Sequence, residues 1–308
     1  MKLKIKKLLG IALASAMVVS LTACNSAKVD GEGSTDTGTK EGSGSIGLSV
    51  STLNNPFFVT LSDGAKEKAK EKNVDLIVVD AGDDAAKQTS DIEDLISKNI
   101  SVLIVNPVDS DAVAPAVKDA IEKGIKVVSV DRIVNGVDVD CAIASDNVAG
   151  AKLAAEYLLS LVGDNAKVAE LEGVPGASAT IDRGKGFHEV ADTKLNVVSK
   201  QTANFNRSEG MTVMENMLQA NPDIVGVFAH NDEMALGAVE AIGGKNIVVV
   251  GFDATDDALA AVKAGKMAAT VAQQPDLMGS TAVETAVKLI AGETVEKSIP
   301  VEVTLVKE

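Results

Sequence analysis

The chain has 308 residues, of which 46% are apolar, and its 29 basic and 44 acidic side chains give a net charge of −15. This apolar content excludes a chain that is disordered throughout, and nucleic acid is disfavoured as a partner because an acidic surface repels phosphate. Two cysteines and two histidines are too few for a structural zinc or iron–sulfur site. No metal or other cofactor is therefore expected.

The first 23 residues have the pattern of an export signal. Four of the first seven residues are lysines, and residues 8–21 form an almost continuous apolar run, too short to span a bilayer comfortably. The run ends in Leu-Thr-Ala-Cys at 21–24, which resembles the lipobox of bacterial lipoproteins, where the cysteine is lipidated and the chain is cut before it. We expect a signal peptide at 1–23 and a lipid on Cys24, with an uncleaved anchor as the alternative.

Residues 24–45 are expected to link this lipid to the folded part of the chain. Positions 25–45 hold five glycines, four serines and three threonines without apolar periodicity, and this composition favours a flexible tether. At roughly 5–6 Å × √n, the tether reaches about 25 Å. The protein is therefore expected to be extracytoplasmic, held at the cell membrane only by the lipid on Cys24.

From residue 46 onward, short runs rich in valine and isoleucine alternate with longer segments of helical period. The predicted strands are 46–51, 74–80, 101–106, 125–131, 166–172, 195–201, 223–229, 246–253 and 267–273. Continuous apolar strands separated by helical crossovers are typical of parallel sheets that are covered on both faces. The sequence therefore predicts an α/β fold.

The size of this region favours two lobes over one. Its 263 residues, from 46 to 308, lie near the limit at which a single core stops growing. We therefore expect two doubly wound, Rossmann-like lobes with parallel sheets. The polar stretch 145–147 is the candidate crossing between them.

Polar and aromatic side chains are concentrated where the predicted strands end. Ligands of doubly wound sheets bind beyond the carboxyl ends of the strands, so these positions are candidate binding residues. They include Asn55, Phe57, Phe58, Asn106, Asp131, Arg132, Arg183, Phe205, Asn231, Phe252, Asp253 and Gln273.

Four of the six phenylalanines lie among these polar residues. An aromatic ring offers an apolar face to the C–H face of a sugar, while asparagine, aspartate, arginine and glutamine pair with its hydroxyls. The alternative is that asparagine, aspartate and proline only cap helices and shape turns. Aromatic rings in three separate edge loops favour a sugar site.

Other chemistries lack their motifs. The turn after the first strand reads Ser-Thr-Leu-Asn-Asn-Pro and contains no glycine, so it does not match a dinucleotide-binding loop. Neither a P-loop motif nor the G-x-S-x-G motif of serine hydrolases occurs. His188 lies in a helical pattern, and His230 is a plausible neighbour of the site but a poor candidate for a general base. An enzyme is therefore not expected.

Several blocks of the sequence, taken together, are similar to a known family. They are Ser51–Phe58, Asn106-Pro107, Asp131-Arg132, Ala144–Asn147, Glu172–Ala179, Asn231–Ala238, Val250–Asp253 and Ala269–Gln273. In this order, over essentially all of 46–308, they resemble the bacterial ribose-binding proteins, which are periplasmic binding proteins of type I.

The resemblance implies two lobes joined by a three-segment hinge, which close on D-ribose and then dock on the permease of an ABC importer with its ATPase. The amino-terminal lobe would comprise 46–145 and 274–302, and the carboxy-terminal lobe 146–273 and 303–308. The polar candidates named above would hydrogen-bond the sugar, the four phenylalanines would form its aromatic walls, and the protein is expected to be a monomer.

Two features leave the ligand open. Residues Ile181 and Asp182 stand where the family often has arginine and glutamate, and Ala254 stands where glycine is usual. The same receptor could therefore take another sugar, such as allose or a furanose-like signalling molecule. An enzyme of sugar metabolism on this fold is a third reading, which the missing nucleotide motif and the lipobox disfavour.

Overall fold

The structure, a computed structural model, describes residues 44–307. The predicted signal peptide, Cys24 and nearly all of the tether lie outside the described residues. Among the helices of 44–307, none combines the length and the apolar character needed to cross a membrane.

Within these residues the chain forms twelve strands and nine helices, which largely alternate along the sequence. The strands are Ile46–Val50 (β1), Leu76–Asp80 (β2), Val102–Val105 (β3), Lys126–Val130 (β4), Cys141–Ser145 (β5), Lys167–Glu172 (β6), Asn196–Thr202 (β7), Gly226–Ala229 (β8), Val248–Asp253 (β9), Ala269–Ala272 (β10), Ser298–Val301 (β11) and Thr304–Lys307 (β12). The helices are Pro56–Lys72 (α1), Ala85–Ser97 (α2), Ala114–Glu122 (α3), Asn147–Val162 (α4), Ser178–Lys194 (α5), Arg207–Ala220 (α6), Asp232–Ile242 (α7), Asp256–Lys263 (α8) and Pro275–Ile290 (α9).

The strands form two six-stranded sheets. The first has the order β11-β5-β4-β3-β1-β2 and the second the order β12-β10-β9-β8-β6-β7. Each sheet has apolar clusters formed with the helices packed against it, as expected for parallel strands that are buried on both faces. The predicted α/β fold with two doubly wound sheets is confirmed, and all nine predicted strands are present.

The chain passes between the two sheets three times, and the three crossings are neighbours. Ser145, at the end of β5, pairs with Val301 of β11, and Ala272 of β10 pairs with Thr304 of β12. Only two residues separate β11 from β12. Because β12 begins at the crossing beside the end of β10, it runs antiparallel to β10, unlike the other strand pairs of the described residues.

Helices α1 and α9 pack unusually closely on the first sheet. A Cβ atom on Gly64 would lie 2.4 Å from the carbonyl oxygen of Asp276, and one on Gly279 would lie 2.0 Å from that of Leu61. Glycine is therefore required at both positions. This contact fixes the start of α1, which carries Phe57 and Phe58, against the start of α9.

The two halves also touch at a point that we call the lip contact, formed by Ser110, Ile133, Gly176 and Ser178. Ser110 follows β3 and donates its backbone N–H to the carbonyl of Gly176 over 3.1 Å. Its hydroxyl accepts the backbone N–H of Ser178 over 3.2 Å, and the Ser178 hydroxyl accepts that of Ile133 over 3.0 Å. Residues that follow strands of the first sheet are thus hydrogen-bonded to the β6–α5 connection and to the first residue of α5.

Candidate functional site

Ten of the twelve candidate residues line one cavity between the two sheets. They are Asn55, Phe57, Phe58, Asp131, Arg132, Arg183, Phe205, Asn231, Asp253 and Gln273. The cavity measures about 10 Å³, room for about one water molecule. Because side chains from both sheets meet so closely here, a larger ligand enters only if the two sides move apart.

Helix capping holds two of the asparagines in place. The side-chain oxygen of Asn55 accepts the backbone N–H of Phe57 over 3.0 Å at the start of α1. The oxygen of Asn231 accepts that of Met234 over 3.0 Å at the start of α7. Asparagine at the cap satisfies a helix N–H group that otherwise has no partner. The capping alternative is therefore correct for these oxygens, while both residues also line the cavity.

Two arginine side chains and three phenylalanine rings alternate across the site. The guanidinium carbon of Arg132 lies 5.1 Å from the ring centre of Phe58 and 5.3 Å from that of Phe205. The guanidinium carbon of Arg183 lies 5.9 Å from the ring centre of Phe205 and 3.9 Å from that of Phe252. Cation–π attraction is stronger away from water, so this stack ties the first sheet to the second through Phe205.

Both guanidinium groups are buried and oriented by neighbouring oxygens. Arg132 donates to the carbonyl of Pro107 over 2.8 Å, and its Nε has no hydrogen-bond partner in the described part of the chain. Arg183 donates from Nε to the side-chain oxygen of Asn147 over 2.8 Å and from Nη1 to the carbonyl of His230. Burial lowers the pKa of both arginines, which nevertheless stay protonated. The site therefore holds two fixed positive charges.

A carboxylate lies beside each arginine without forming a short ion pair. Asp131 is 3.6 Å from Nε of Arg132, and Asp253 is 3.7 Å from Nη1 of Arg183. Direct charge-assisted hydrogen bonds measure about 2.7–2.9 Å. The carboxylates therefore retain acceptor positions for a ligand. Gln273 donates to Asp253 over 2.7 Å, while its own side-chain oxygen has no hydrogen-bond partner among the described residues.

Burial raises the pKa of both carboxyl groups. For Asp131, Arg132 and Arg183 oppose the rise by attraction, and Asn106 opposes it by a hydrogen bond. For Asp253, Arg183 opposes the rise and the negative charge of nearby Asp232 adds to it, and the pKa lies well above the ordinary value. Neutral hydrogen-bonding partners would suit such carboxyl groups better than an additional anion.

The backbone is strained where it presents these side chains. Asp131, Phe205 and Asp253 have φ angles of 63°, 57° and 127°, and Ala254 has a φ of 57°. Such angles cost about 1–3 kcal/mol each and persist only where the surroundings impose them. At Ala254, the backbone N–H donates to the hydroxyl of Thr270 over 3.1 Å. This left-handed geometry explains why glycine suits the position and shows that alanine is accommodated.

Two candidates lie behind the cavity wall. Asn106 is fully buried, and it accepts the backbone N–H of Ser51 over 3.1 Å and donates to Asp131 over 3.0 Å. The ring of Phe252 is also fully buried and lies against Arg183. Both therefore orient a residue of the wall, and their direct contact with a ligand stays a prediction.

Sequence reasoning overlooked two polar residues that build the site. Asn147 receives the Nε hydrogen bond of Arg183. Asp232 accepts from the backbone of Thr255 over 2.8 Å and from the hydroxyl of Thr270 over 2.7 Å, which fixes the turn after β9. Burial raises the pKa of Asp232 to about 7. Their positions beside a predicted crossing and a strand end, and within the blocks 144–147 and 231–238, were the sequence signals, but their partners are distant in the chain.

The departures at Ile181 and Asp182 lie outside the cavity. The side chain of Ile181 is exposed and that of Asp182 is half-buried, and neither lines the wall. Ala179, one turn of α5 before Arg183, does line it. The two substitutions therefore change the surface of α5 and leave the described wall untouched.

The arrangement is suited to binding a neutral polar molecule. It offers flat rings, fixed positive charges, carboxyl groups and amides around a closed space. Among residues 44–307, no three histidine, cysteine, aspartate or glutamate side chains are grouped so that they could hold a metal ion.

The sequence matches the model of the periplasmic binding protein domain over residues 46–294. The chain belongs to the periplasmic binding protein family. It is 56% identical over 256 residues to the ribose import binding protein RbsB of Bacillus subtilis, covering 82% of this chain and 84% of that protein. It is 46% identical over 300 residues to RbsB of Haemophilus influenzae, covering 96% and 98% of the two chains. These relatives confirm the resemblance to ribose-binding proteins.

A solved structure extends the comparison to a second ligand. An ABC transporter periplasmic solute binding protein from Actinobacillus succinogenes with bound D-allose superposes with a TM-score of 0.79 and 33% identity, covering 86% of this chain and 97% of that chain. The relatives are named as import binding proteins, so the prediction that this chain is not an enzyme is confirmed.

We expect the stability of the ligand-free protein to fall as the pH rises from 5 to 8. A carboxyl group with a raised pKa binds more protons when folded, so its stabilising contribution is complete below the unfolded-state pKa and is lost as the pH rises through the folded-state pKa. Because burial raises the pKa of Asp253, Asp253→Asn should make this fall in stability smaller. Urea unfolding at pH 5 and at pH 8 measures the free energy of unfolding of the wild type and the variant.

The matched control is Asp256→Asn, which removes an exposed carboxylate three residues further on. It should leave the pH dependence of the wild type unchanged. If Asp253→Asn kept that dependence as well, the titration would not belong to Asp253.

Proposed function

We propose that this chain is an extracytoplasmic solute-binding lipoprotein that captures D-ribose between two lobes and delivers it to an ABC importer. The observation that carries the proposal is the alternation of aromatic rings and buried guanidinium groups, with a loosely paired carboxylate beside each arginine. The names of the relatives support ribose as the ligand.

The geometry supports a sugar because each kind of side chain in the cavity wall matches a chemical group of a sugar. Phe58 and Phe205 would face the C–H bonds of the ring, while Arg132 would donate to its oxygens. The buried carboxyl groups and the free oxygen of Gln273 would accept its hydroxyl protons. A polyol satisfies donors and acceptors together, which is how a polar site gains both affinity and selectivity.

A second sugar is the alternative ligand. The structural relative with bound D-allose favours a receptor whose site accepts a different monosaccharide, and a furanose-like signalling molecule fits the same polar wall. A sugar-metabolising enzyme is not proposed, because the relatives are binding proteins.

We further propose that the two sheets belong to lobes that open and close about the three crossings. The lobes would comprise 46–145 with 274–302 and 146–273 with 303–308. Three adjacent crossings on one side and the lip contact elsewhere support a hinge. A space of about 10 Å³ requires such an opening before ribose can enter.

Removing one charged partner should weaken binding strongly. Arg132→Ala and Asp253→Ala should each reduce the affinity for D-ribose at least about tenfold, since an unpaired buried polar group costs about 1–3 kcal/mol and charged groups cost more. Asp253→Asn should also weaken it, because an amide replaces one acceptor by a donor. Calorimetric titration measures the affinities.

The control for these variants is Lys263→Ala at the end of α8, away from the cavity. It should bind ribose like the wild type. Wild-type affinity in both Arg132→Ala and Asp253→Ala would overturn the sugar site, and a preference for allose over ribose in the wild type would favour the alternative ligand.

Binding should make the protein more compact. If site residues of both lobes close on the sugar by hinge bending, small-angle scattering should give a smaller radius of gyration with saturating ribose than without it. Sucrose at the same concentration is the control for solvent effects. An unchanged radius with bound ribose would contradict the clamp.

The proposed anchor is the lipid on Cys24, with residues 1–23 removed as a signal peptide. The proposed partners are the permease and ATPase of the importer, and we propose that the protein works as a monomer. The lipobox pattern at 21–24 and the family support an extracytoplasmic position.

The variant Cys24→Ala should stay uncleaved or be released, because it has no thiol to receive the lipid. Cell fractionation and the mass of the protein measure both outcomes. A variant that is processed and membrane-bound like the wild type would contradict the lipoprotein proposal.

A further inference from the structure

A second cluster of titratable groups lies in the second sheet, outside the cavity. Glu170 lies on β6 and is fully buried. One carboxylate oxygen is 2.9 Å from Nε2 of His230, and the other is 2.8 Å from Nε2 of His188. A buried carboxylate in the middle of a sheet is costly unless it is paired, so its two histidine partners are part of the fold.

His188 connects this cluster to solvent. Its Nδ1 is 2.6 Å from a carboxylate oxygen of Asp192, one turn further along α5, and its side chain is 27% exposed. Both ring nitrogens therefore face carboxylates. A neutral imidazole has only one N–H group, so only the protonated ring can donate to Asp192 and Glu170 together.

The charges around His188 favour that protonated form. Partial burial lowers the pKa of His188, but hydrogen bonds and attraction to Asp192 and Glu170 outweigh it, so the pKa is raised above 6.5. The contribution of protonated His188 to the stability of the fold is therefore complete below pH 6.5. It is lost as the pH rises through the folded-state pKa of His188.

His230 connects the cluster to Arg183. Its ring is fully buried and is held through Nε2 by Glu170, and within residues 44–307 its Nδ1 has no hydrogen-bond partner. Burial lowers the pKa of His230, so the ring is a neutral donor. The backbone carbonyl of the same residue accepts Nη1 of Arg183. A chain of direct contacts thus runs from exposed His188 through Glu170 and His230 to the guanidinium group in the cavity wall.

We propose that Glu170 and His230 position the guanidinium group of Arg183, and that protonation of His188 strengthens this positioning and with it the affinity for the ligand. The proposal concerns the same site as the proposed sugar binding, and its effect on affinity rests on that function. Loss of the proton leaves His188 with one N–H group for two carboxylates, so the ring loses its hydrogen bond to Asp192 or to Glu170. In either case Glu170 no longer faces a positive charge on His188. Affinity should therefore fall as His188 deprotonates, and by linkage bound ligand should favour its protonated form.

Other charged groups act on this cluster. The groups that face it from the packed elements are Arg183, His188 and Asp192 on α5, Lys200 on β7, Glu172 on β6 and His230 after β8. Lys200 pairs with Glu172 over 3.2 Å. On the outer face of α5, Glu189 pairs with Lys152 over 3.2 Å and is a control site.

The test compares D-ribose affinity between pH 6 and pH 9 in the wild type, Glu170→Gln, His188→Gln and the control Glu189→Gln. The wild type and the control should lose affinity about fivefold over this range, a typical coupling. His188→Gln should bind more weakly already at pH 6 and should lose less affinity than the wild type between pH 6 and pH 9. Glu170→Gln should also bind more weakly at pH 6. All variants retain Asp131, Asp232 and Asp253, so the difference between profiles isolates His188.

A second measurement needs no sugar. In NMR spectra of the ligand-free protein, the Nε–H signal of Arg183 should shift with pH at the midpoint of the His188 ring signals, and this shift should vanish in His188→Gln. If Glu170→Gln fails to fold, the affinity profile of His188→Gln and the pH dependence of the Arg183 signal still test the proposal. An Arg183 signal that ignores His188, or identical pH profiles in His188→Gln and the wild type, would overturn the proposal. If the protein bound no ribose but the Arg183 signal still followed the protonation of His188, only the proposed ligand would be overturned.

Discussion

The structure depends on two buried guanidinium groups that face one another across the ring of Phe205. Arg132 follows a strand of the first sheet and Arg183 lies on a helix of the second, so the stack of rings and charges joins both halves. Two like charges at this depth are tolerated because carbonyls, amides and nearby carboxyl groups surround them. The same groups provide the polar wall, so holding the halves together and the proposed recognition of a polyol would use one set of contacts.

The polar wall is energetically unfavourable in two respects, namely its strained backbone and its buried carboxyl groups. Asp131 and Asp253 combine strained φ angles with raised pKa values, and the side-chain oxygen of Gln273 has no hydrogen-bond partner in residues 44–307. Such features persist only where the surrounding fold imposes them. Here the strand ends, the capped helices and the close packing of α1 on α9 hold them, which leaves the site prepared for a ligand that brings its own donors and acceptors.

Much of this was predictable because parallel α/β sheets place function at strand ends. Nine of the twelve strands in residues 44–307 were evident from their valine and isoleucine content, and the residues that follow them were then candidates, as with Asp131 and Asn231. The strands β5, β11 and β12 were not predicted. Asn106 shows the limit of that reasoning. It follows a strand as predicted, yet its amide is occupied by Ser51 and Asp131, and only the three-dimensional arrangement distinguishes a wall residue from one that supports the wall.

The sequence by itself determined the alternation of strands and helices, the family and nearly all residues of the cavity, because these follow from local periodicity and from motifs in order. Only the tertiary structure decided which titratable and polar groups pair with one another. Glu170 meets His188 and His230 across 18 and 60 positions of the chain, and Arg183 meets Asn147 across 36. No local pattern records such pairs, since they arise when separate strands and helices are packed side by side and their polar groups must find partners away from water.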